Sequence, residues 1–266
     1  MMHISIYKLS LYFSFILLSK LFFLCNVAKA NNASYITLSN QIARKAQLEV
    51  IANNVANSNT IGFEQDAILF RNVDLKQNTK RNNSFVWAET SYRTGDKGGI
   101  KITNRPTDLA IGGEGYFKVA TPNGARYTLD GSMLINNQNV LVNSSGYPYL
   151  SSENEPIEIP DNFQVIDIAQ SGAVFVDQEE IATIGVFGFD STDPIIKEGG
   201  NLYAIQGNDR LLEEFTIISG ALRASNVNST LAMAKMIEMQ RSHALTTDLM
   251  TNINETETSS IQRLTK

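Results

Sequence analysis

The sequence predicts an α+β fold in which N- and C-terminal helices pair, coiled-coil-like, around an inserted all-β domain. Three observations carry that prediction. In residues 33–57 and again in residues 220–266, apolar residues recur at three- and four-residue steps, the first span without Pro or Gly. From Tyr92 to about Phe215, strand-like runs alternate with turn residues at short spacing. Between the first helical pattern and that region lies the Asn-rich stretch Ile51 to Phe63, IANNVANSNTIGF.

The first helical pattern runs from Ala33 to Asn57, with Leu38, Ile42, Leu48, Ala52 and Val55 as its apolar stripe and Lys45 as the polar break. Ala43, Ala46, Ala52 and Ala56 keep the flanks small, which suits helix-on-helix contact. Asn side chains compete for backbone hydrogen bonds, so the helix is expected to stop near Asn57. Asn53, Asn54 and Asn57 are expected to bond the junction backbone or the partner helix. Gly62 and Phe63 are expected to set the exit direction, with Phe63 anchored in an apolar pocket.

Residues 64–91 read as an irregular, solvated linker. Lys76, Lys80 and Arg81 form a basic patch there, and Phe85-Val86-Trp87 is a possible short strand. Residues 92–219 read as the all-β domain. Pro122-Asn123-Gly124 predicts a hairpin between Phe117–Val119 and Arg126–Thr128, and further turns are expected at Asn136-Asn137, Ser145-Gly146 and Gly199-Gly200. Residues 220–266 return to helix, with Ser225 and Asn226 as candidate N-caps. Ala232, Met236, Met239, His243, Thr246, Met250 and Ile253 form its seam, and Met233, Ile237 and Leu249 widen it. The tail after Ile253 is more polar and is expected to order in an assembly.

Composition narrows the function. Of the 266 residues, 43% are hydrophobic, enough for a real core. A net charge of −5 argues against a nucleic-acid partner, since phosphate binding needs a basic field. Cys25 is the single cysteine, so no intrachain disulfide or thiolate cluster is possible, and His3 and His243 are the only histidines. Residues 1–30 carry a basic start, an apolar run broken at Lys20 and an Ala28-Lys29-Ala30 ending. A secretory signal, a retained anchor and a misplaced start all fit this segment.

No catalytic set converges. Gly112-Gly113-Glu114-Gly115 lacks the Lys-Ser/Thr of a phosphate loop and reads as a strand-to-strand turn. Asp108 and Glu114 have no supporting residue type nearby, and His243 lies on an apolar seam. The sequence is read as non-enzymatic, with no cofactor, no metal and no small-molecule substrate. A competing reading is a periplasmic or surface-anchored β-domain binding protein. In that reading Tyr116, Phe117, Tyr147 and Tyr149 line a carbohydrate or peptide site.

Four ordered blocks resemble the flagellar rod and hook family of bacteria. They are YITLSNQIARKAQLEVIANNVANSNTIGF, GGIKITNRPTDLAIGGEGYFKV, RYTLDGSMLINNQNVLVNSSGYPYL and GALRASNVNSTLAMAKMIEMQR. The length after Ala30 and the short middle domain look most like the proximal rod members. The chain departs from the family at Leu129, where an Arg is usual, and at His243-Ala244, where an aromatic and an acid are usual. The resemblance implies a structural, non-enzymatic subunit of the basal-body rod in the periplasmic space. The implied partners are other copies, other flagellar rod proteins and the flagellar export apparatus. It also favours a misplaced start over a signal for residues 1–30; on all three readings the functional domain is expected to begin near Asn31 or Asn32, with residues 31–63 as the first helix and its Asn-rich junction. The expected assembly surface comprises Leu38, Ile42, Leu48, Ala52 and Val55 with Val227, Met236, Ile237, Met239 and Met250.

Overall fold

A computed structural model describes residues 37–75, 83–190 and 195–264, so residues 1–30 lie outside the described residues. The chain mixes helix and strand. Helix α1 covers residues 37–56. Strands β1 (Asp66–Leu75) and β2 (Asn83–Arg93) follow and pair with each other. Then come β3 (Ile100–Ile102), β4 (Leu109–Ile111), β5 (Tyr116–Thr121), β6 (Gly124–Thr128), β7 (Leu134–Ile135) and β8 (Leu141–Val142). The remaining strands are β9 (Ile166–Ile168), β10 (Ala173–Val176), β11 (Glu179–Thr183), β12 (Val186–Gly188), β13 (Ile195–Glu198), β14 (Leu202–Ile205), β15 (Arg210–Leu211), β16 (Ile217–Ser219) and β17 (Ala221–Arg223). Helix α2 closes the order at Ser229–Leu264.

The chain forms two compact units. One contains residues up to 52, 67–92 and 233 onward; the other contains 53–66 and 93–232. In the first unit, α1 and α2 are tied by side chains. Gln41 Nε2 donates to Thr247 Oγ1 at 3.5 Å, and Arg44 Nη1 donates to Ser242 Oγ. The order of these pairs means that the helices run in opposite directions there. Among the described residues no helix is long and apolar enough to cross a membrane.

The β1–β2 ribbon replaces the expected irregular linker of residues 64–91. Arg71 and Glu89 form an ion pair across it, and Leu69, Phe70 and Tyr92 are exposed. The possible short strand at Phe85-Val86-Trp87 lies within β2, which extends beyond it on both sides.

The second unit holds the core. A six-stranded antiparallel sheet has the order β13-β14-β6-β5-β12-β15, and β9–β11 form a separate three-stranded sheet. The β5–β6 hairpin centres on Pro122-Asn123, one residue earlier than an Asn-Gly turn, because Thr121 pairs with Gly124. Small turns are closed by side chains. Asn136 Oδ1 accepts from the amides of Gln138 and Val140, and Asn143 Oδ1 from those of Ser145 and Tyr147. The segment Gly112 to Gly115 is a turn between β4 and β5. Phe117 and Tyr149 are buried in the main core and meet edge to face at 6.1 Å, while Tyr147 packs against that core. Tyr116 belongs to a second buried cluster with Tyr127, Leu129, Phe187 and Tyr203. The four aromatics of the binding-protein reading are therefore structural.

Helix α2 starts later than Ser225 and Asn226. Its N-cap is Asn228, whose Oδ1 accepts from the Leu231 amide at 3.0 Å. The helix continues through the polar tail. The hydroxyls of Thr246, Thr247, Thr251, Thr256, Thr258 and Ser260 each donate to the carbonyl four residues earlier.

Candidate functional site

The Asn-rich stretch and the Ala224–Asn228 segment meet in the second unit, and the bonds between them define the site. Helix α1 ends in a turn: the Asn57 amide donates to the Asn53 carbonyl at 3.1 Å and the Thr60 amide to the Asn57 carbonyl at 3.1 Å. The three asparagines have different tasks. Asn53 is exposed, and its Oδ1 accepts from Asn57 Nδ2 at 3.2 Å. Asn57 Nδ2 also donates to the Asn53 carbonyl at 2.9 Å, bracing the last turn. Asn54 is buried, and its amide group pairs with both backbone groups of Asp66. Nδ2 donates to the carbonyl at 2.8 Å, and Oδ1 accepts from the amide at 3.0 Å. That side chain stands in for a strand partner at the first residue of β1.

Gly62 is buried with φ 67°, and its amide donates to the Arg223 carbonyl at 2.8 Å. A Cβ there would lie 2.5 Å from the carbonyl carbon of Leu129, so both the turn and the close approach call for glycine. Phe63 is buried as expected, but its pocket is not purely apolar. Lys197 Nζ lies 3.7 Å from the ring centroid, donates to the Glu64 carbonyl at 3.0 Å and pairs with Asp66 Oδ2 at 3.0 Å.

Sequence reasoning missed the charged centre next to it. Glu64 is 3% exposed and takes an ion pair from Arg93 Nη1 at 2.6 Å. The same guanidinium donates to Tyr116 Oη at 2.9 Å and lies 5.0 Å above the Tyr203 ring. Burial works against the Arg93 charge, but Tyr116 and Glu64 outweigh it and its pKa is raised. Burial first, then the Glu64 charge, push the Tyr116 and Tyr203 hydroxyls above the ordinary tyrosine value.

The Tyr203 hydroxyl is buried and makes no hydrogen bond of good geometry among the described residues; the nearby Arg93 guanidinium, which lies over the ring, acts on it instead. Tyr203→Phe is therefore expected to raise stability at neutral pH by about 1 kcal/mol. The sign with pH follows from the raised pKa. Below the unfolded value near 10 the hydroxyl adds no pH dependence; above it the unfolded chain ionises first, and stability falls as pH climbs through the folded value. Thermal melts at neutral and strongly alkaline pH check both expectations; a smaller alkaline loss in the variant is expected.

Asn226, expected as an N-cap, instead joins three passes of the chain. Its Oδ1 accepts from the Gln65 amide at 2.7 Å, and its Nδ2 donates to Thr94 Oγ1 at 3.3 Å and the Asp96 carbonyl at 2.6 Å. Arg223, also buried, donates to the carbonyls of Gly98 and Ile111.

The expected assembly residues divide between shielded and outward positions. On α2, Ala232, Met236, Met239, His243, Thr246, Met250 and Ile253 are each half-buried, so the seam read from the sequence is the shielded face. Ile237, at 52% exposure, faces outward with Met233, Leu245 and Leu249. On α1, Leu48, Ala52 and Val55 are half-buried and Ala43 is buried, whereas Leu38 and Ile42 are exposed, Ile42 at 61%. Two successive three-residue steps, Ile42 to Lys45 to Leu48, rotate about 120° around a helix of 3.6 residues per turn, which separates these residues onto two faces. Val227 is buried in the second unit. Asp108 is bound to Arg105 and Glu114 to Lys97, so the two carboxylates do not act as a pair.

Comparison with known proteins matches three stretches. Residues 35–63 match the flagella basal body rod protein family, residues 110–176 the D1 domain of flagellar hook protein FlgE/F/G, and residues 218–263 the C-terminal region of flagellar basal body rod FlgEFG proteins. The flagellar basal-body rod protein FlgF of Caulobacter vibrioides is 32% identical over 242 residues, covering 89% of this chain and 99% of the relative. FlgF of Mesorhizobium japonicum is 28% identical over 219 residues, covering 81% of this chain and 90% of the relative. The flagellar basal-body rod protein FlgG of Bacillus subtilis is 29% identical over 241 residues, covering 79% and 90%.

Proposed function

The chain belongs to the flagellar basal-body rod family and is of the FlgF type, and from that premise we propose that it is a structural subunit of the rod, assembling through its terminal helices. Its α1 and α2 form a coiled-coil-like pair, with the β region inserted between them as a domain. The observation that carries the reading is a pair of outward apolar flanks on α2, Met233 with Ile237 on one side of the seam and Leu245 with Leu249 on the other. Met233, Ile237, Leu245 and Leu249 stay exposed while the seam behind them is half-buried. Exposed apolar flanks of this kind mark contact sites. Neighbouring copies or other rod proteins covering these flanks make head-to-tail contacts that do not close, which propagate as a helix. At about 25 cal/mol per Å², a modest helical seam contributes several kcal/mol per subunit before entropy is subtracted. The partners in this reading are other copies, other rod proteins and the flagellar export apparatus; the place is the basal body across the periplasm. No cofactor or substrate enters it.

Two double variants test the proposal. Met236→Asp with Met239→Asp strikes the shielded seam, and Ile237→Asp with Leu249→Asp strikes one residue on each outward flank. Both are expected to abolish incorporation into purified hook–basal bodies and to leave the strand signal of the β region intact. The outward pair is also expected to leave the melting temperature of the isolated chain within a degree or two, on the order of an ordinary surface substitution. Normal incorporation of the outward pair would overturn the proposal.

A further inference from the structure

The backbone of residues 61–65 is held one group at a time by residues far along the chain. The Ile61 carbonyl accepts from Asn201 Nδ2 at 2.5 Å, and the Gly62 amide donates to the Arg223 carbonyl at 2.8 Å. The Phe63 carbonyl accepts from the Asn226 amide at 3.3 Å, the Glu64 carbonyl from Lys197 Nζ at 3.0 Å, and the Gln65 amide donates to Asn226 Oδ1 at 2.7 Å. The Gln65 carbonyl accepts from the Thr94 amide at 3.2 Å. None of these is a ladder bond within a named sheet. Apart from Thr94, every one of these partners lies between residues 197 and 226.

The cost of an open segment follows directly. Without those partners, residues 61–65 keep only local bonds such as that from the Phe63 amide to the Thr60 carbonyl at 3.3 Å. Backbone groups without partners do not stay buried. Closing a loop across such a sequence separation is entropically unfavourable until the distant segment is itself fixed.

We infer that residues 61–66 are a conditional latch, closed only when residues 197–226 have docked on the sheet, with Asn226 as its fastening residue. The path by which the chain leaves α1 is thus set by residues near the opposite end of the sequence. The inference concerns the isolated protein and stands apart from the rod reading.

Amide-resolved hydrogen exchange on the full chain tests it in two ways. During refolding from denaturant, the amides of Gly62 and Gln65 are expected to gain protection together with those of Ala221 and Ala224, and after those of Val119 and Leu141. In the native state, Asn226→Ala is expected to lower protection of the Gly62 and Gln65 amides on the order of tenfold or more, with Val119 unchanged. Asn226→Asp keeps the acceptor for Gln65 and loses both donated bonds, and is expected to fall between. Protection of Gly62 and Gln65 ahead of Ala221 would overturn the inference, as would a folded Asn226→Ala chain with wild-type protection at the junction. If Asn226→Ala does not fold, the refolding order of the unaltered chain decides alone.

Discussion

Arg93→Met is expected to lower unfolding stability by about 3–5 kcal/mol, the usual loss when one partner of a buried ion pair is removed. The Glu64 carboxylate is buried, and Arg93 supplies its ion pair at 2.6 Å. Methionine fills much of the side-chain volume but leaves that carboxylate in a low-dielectric site without its counter-charge. The Tyr116 hydroxyl loses its donor and the Tyr203 ring loses its cation in the same step. Glu64→Gln in the Arg93→Met background removes the uncompensated charge and is expected to recover a large part of the loss. Equilibrium denaturation followed by circular dichroism measures both. A loss below about 1 kcal/mol in the single variant would place this pair among surface ion pairs, contrary to its burial.

Gly98→Ala and Gly99→Ala are expected to differ sharply although the residues are adjacent. A Cβ on Gly98 would lie 1.9 Å from the Ala224 carbonyl oxygen and 2.9 Å from the Ser225 carbonyl carbon. Both obstacles are backbone and are held in place. The Ala224 amide donates to the Gly99 carbonyl at 2.8 Å, and Arg223 Nη1 donates to the Gly98 carbonyl at 3.2 Å. Relief requires parting β3 from β17, so a loss of about 3 kcal/mol or more is expected. Gly99 faces open space, and its alanine variant is expected to stay within about 0.5 kcal/mol of the parent. Thermal melts of the two variants decide the matter; similar melting temperatures would contradict the close approach of residues 98 and 224.

The parts of this fold that were legible in the sequence are those with a local signature. The seam of α2 repeats at steps of four and three from Ala232 to Ile253, and a repeat that long identifies one face without knowledge of its partner. The β region announces itself through its turn residues, since Asn136 and Asn143 close their turns with their own side chains. Of the β1–β2 ribbon only Phe85-Val86-Trp87 reads as a possible strand, and β1 reads as linker, because its Asp, Arg and Asn residues interrupt the apolar run. At the junction the asparagines marked the place but not the mechanism. Lys197, Asn201 and Asn226 reach residues 61–66 from more than a hundred positions away, and a single polar residue carries no periodicity. Glu64 and Arg93 were invisible for the same reason: nothing in a sequence distinguishes a charge that will be buried from one that will meet water. Leu38 and Ile42 show the opposite failure, where a plausible spacing accumulated enough rotation to change faces.

The polar half of α2 has a bearing on dehydration. A threonine or serine placed against another protein ordinarily brings along a hydroxyl hydrogen that water had been satisfying, and the neighbour must supply an acceptor. From Thr246 to Ser260 these hydrogens are already given to the helix's own carbonyls. Stripping water from this stretch orphans none of those donors, whatever lies against it. The hydroxyls of this helix end therefore ask nothing of a neighbour, and the polar demand of any contact here falls on Asp248, Asn252, Asn254 and Glu255.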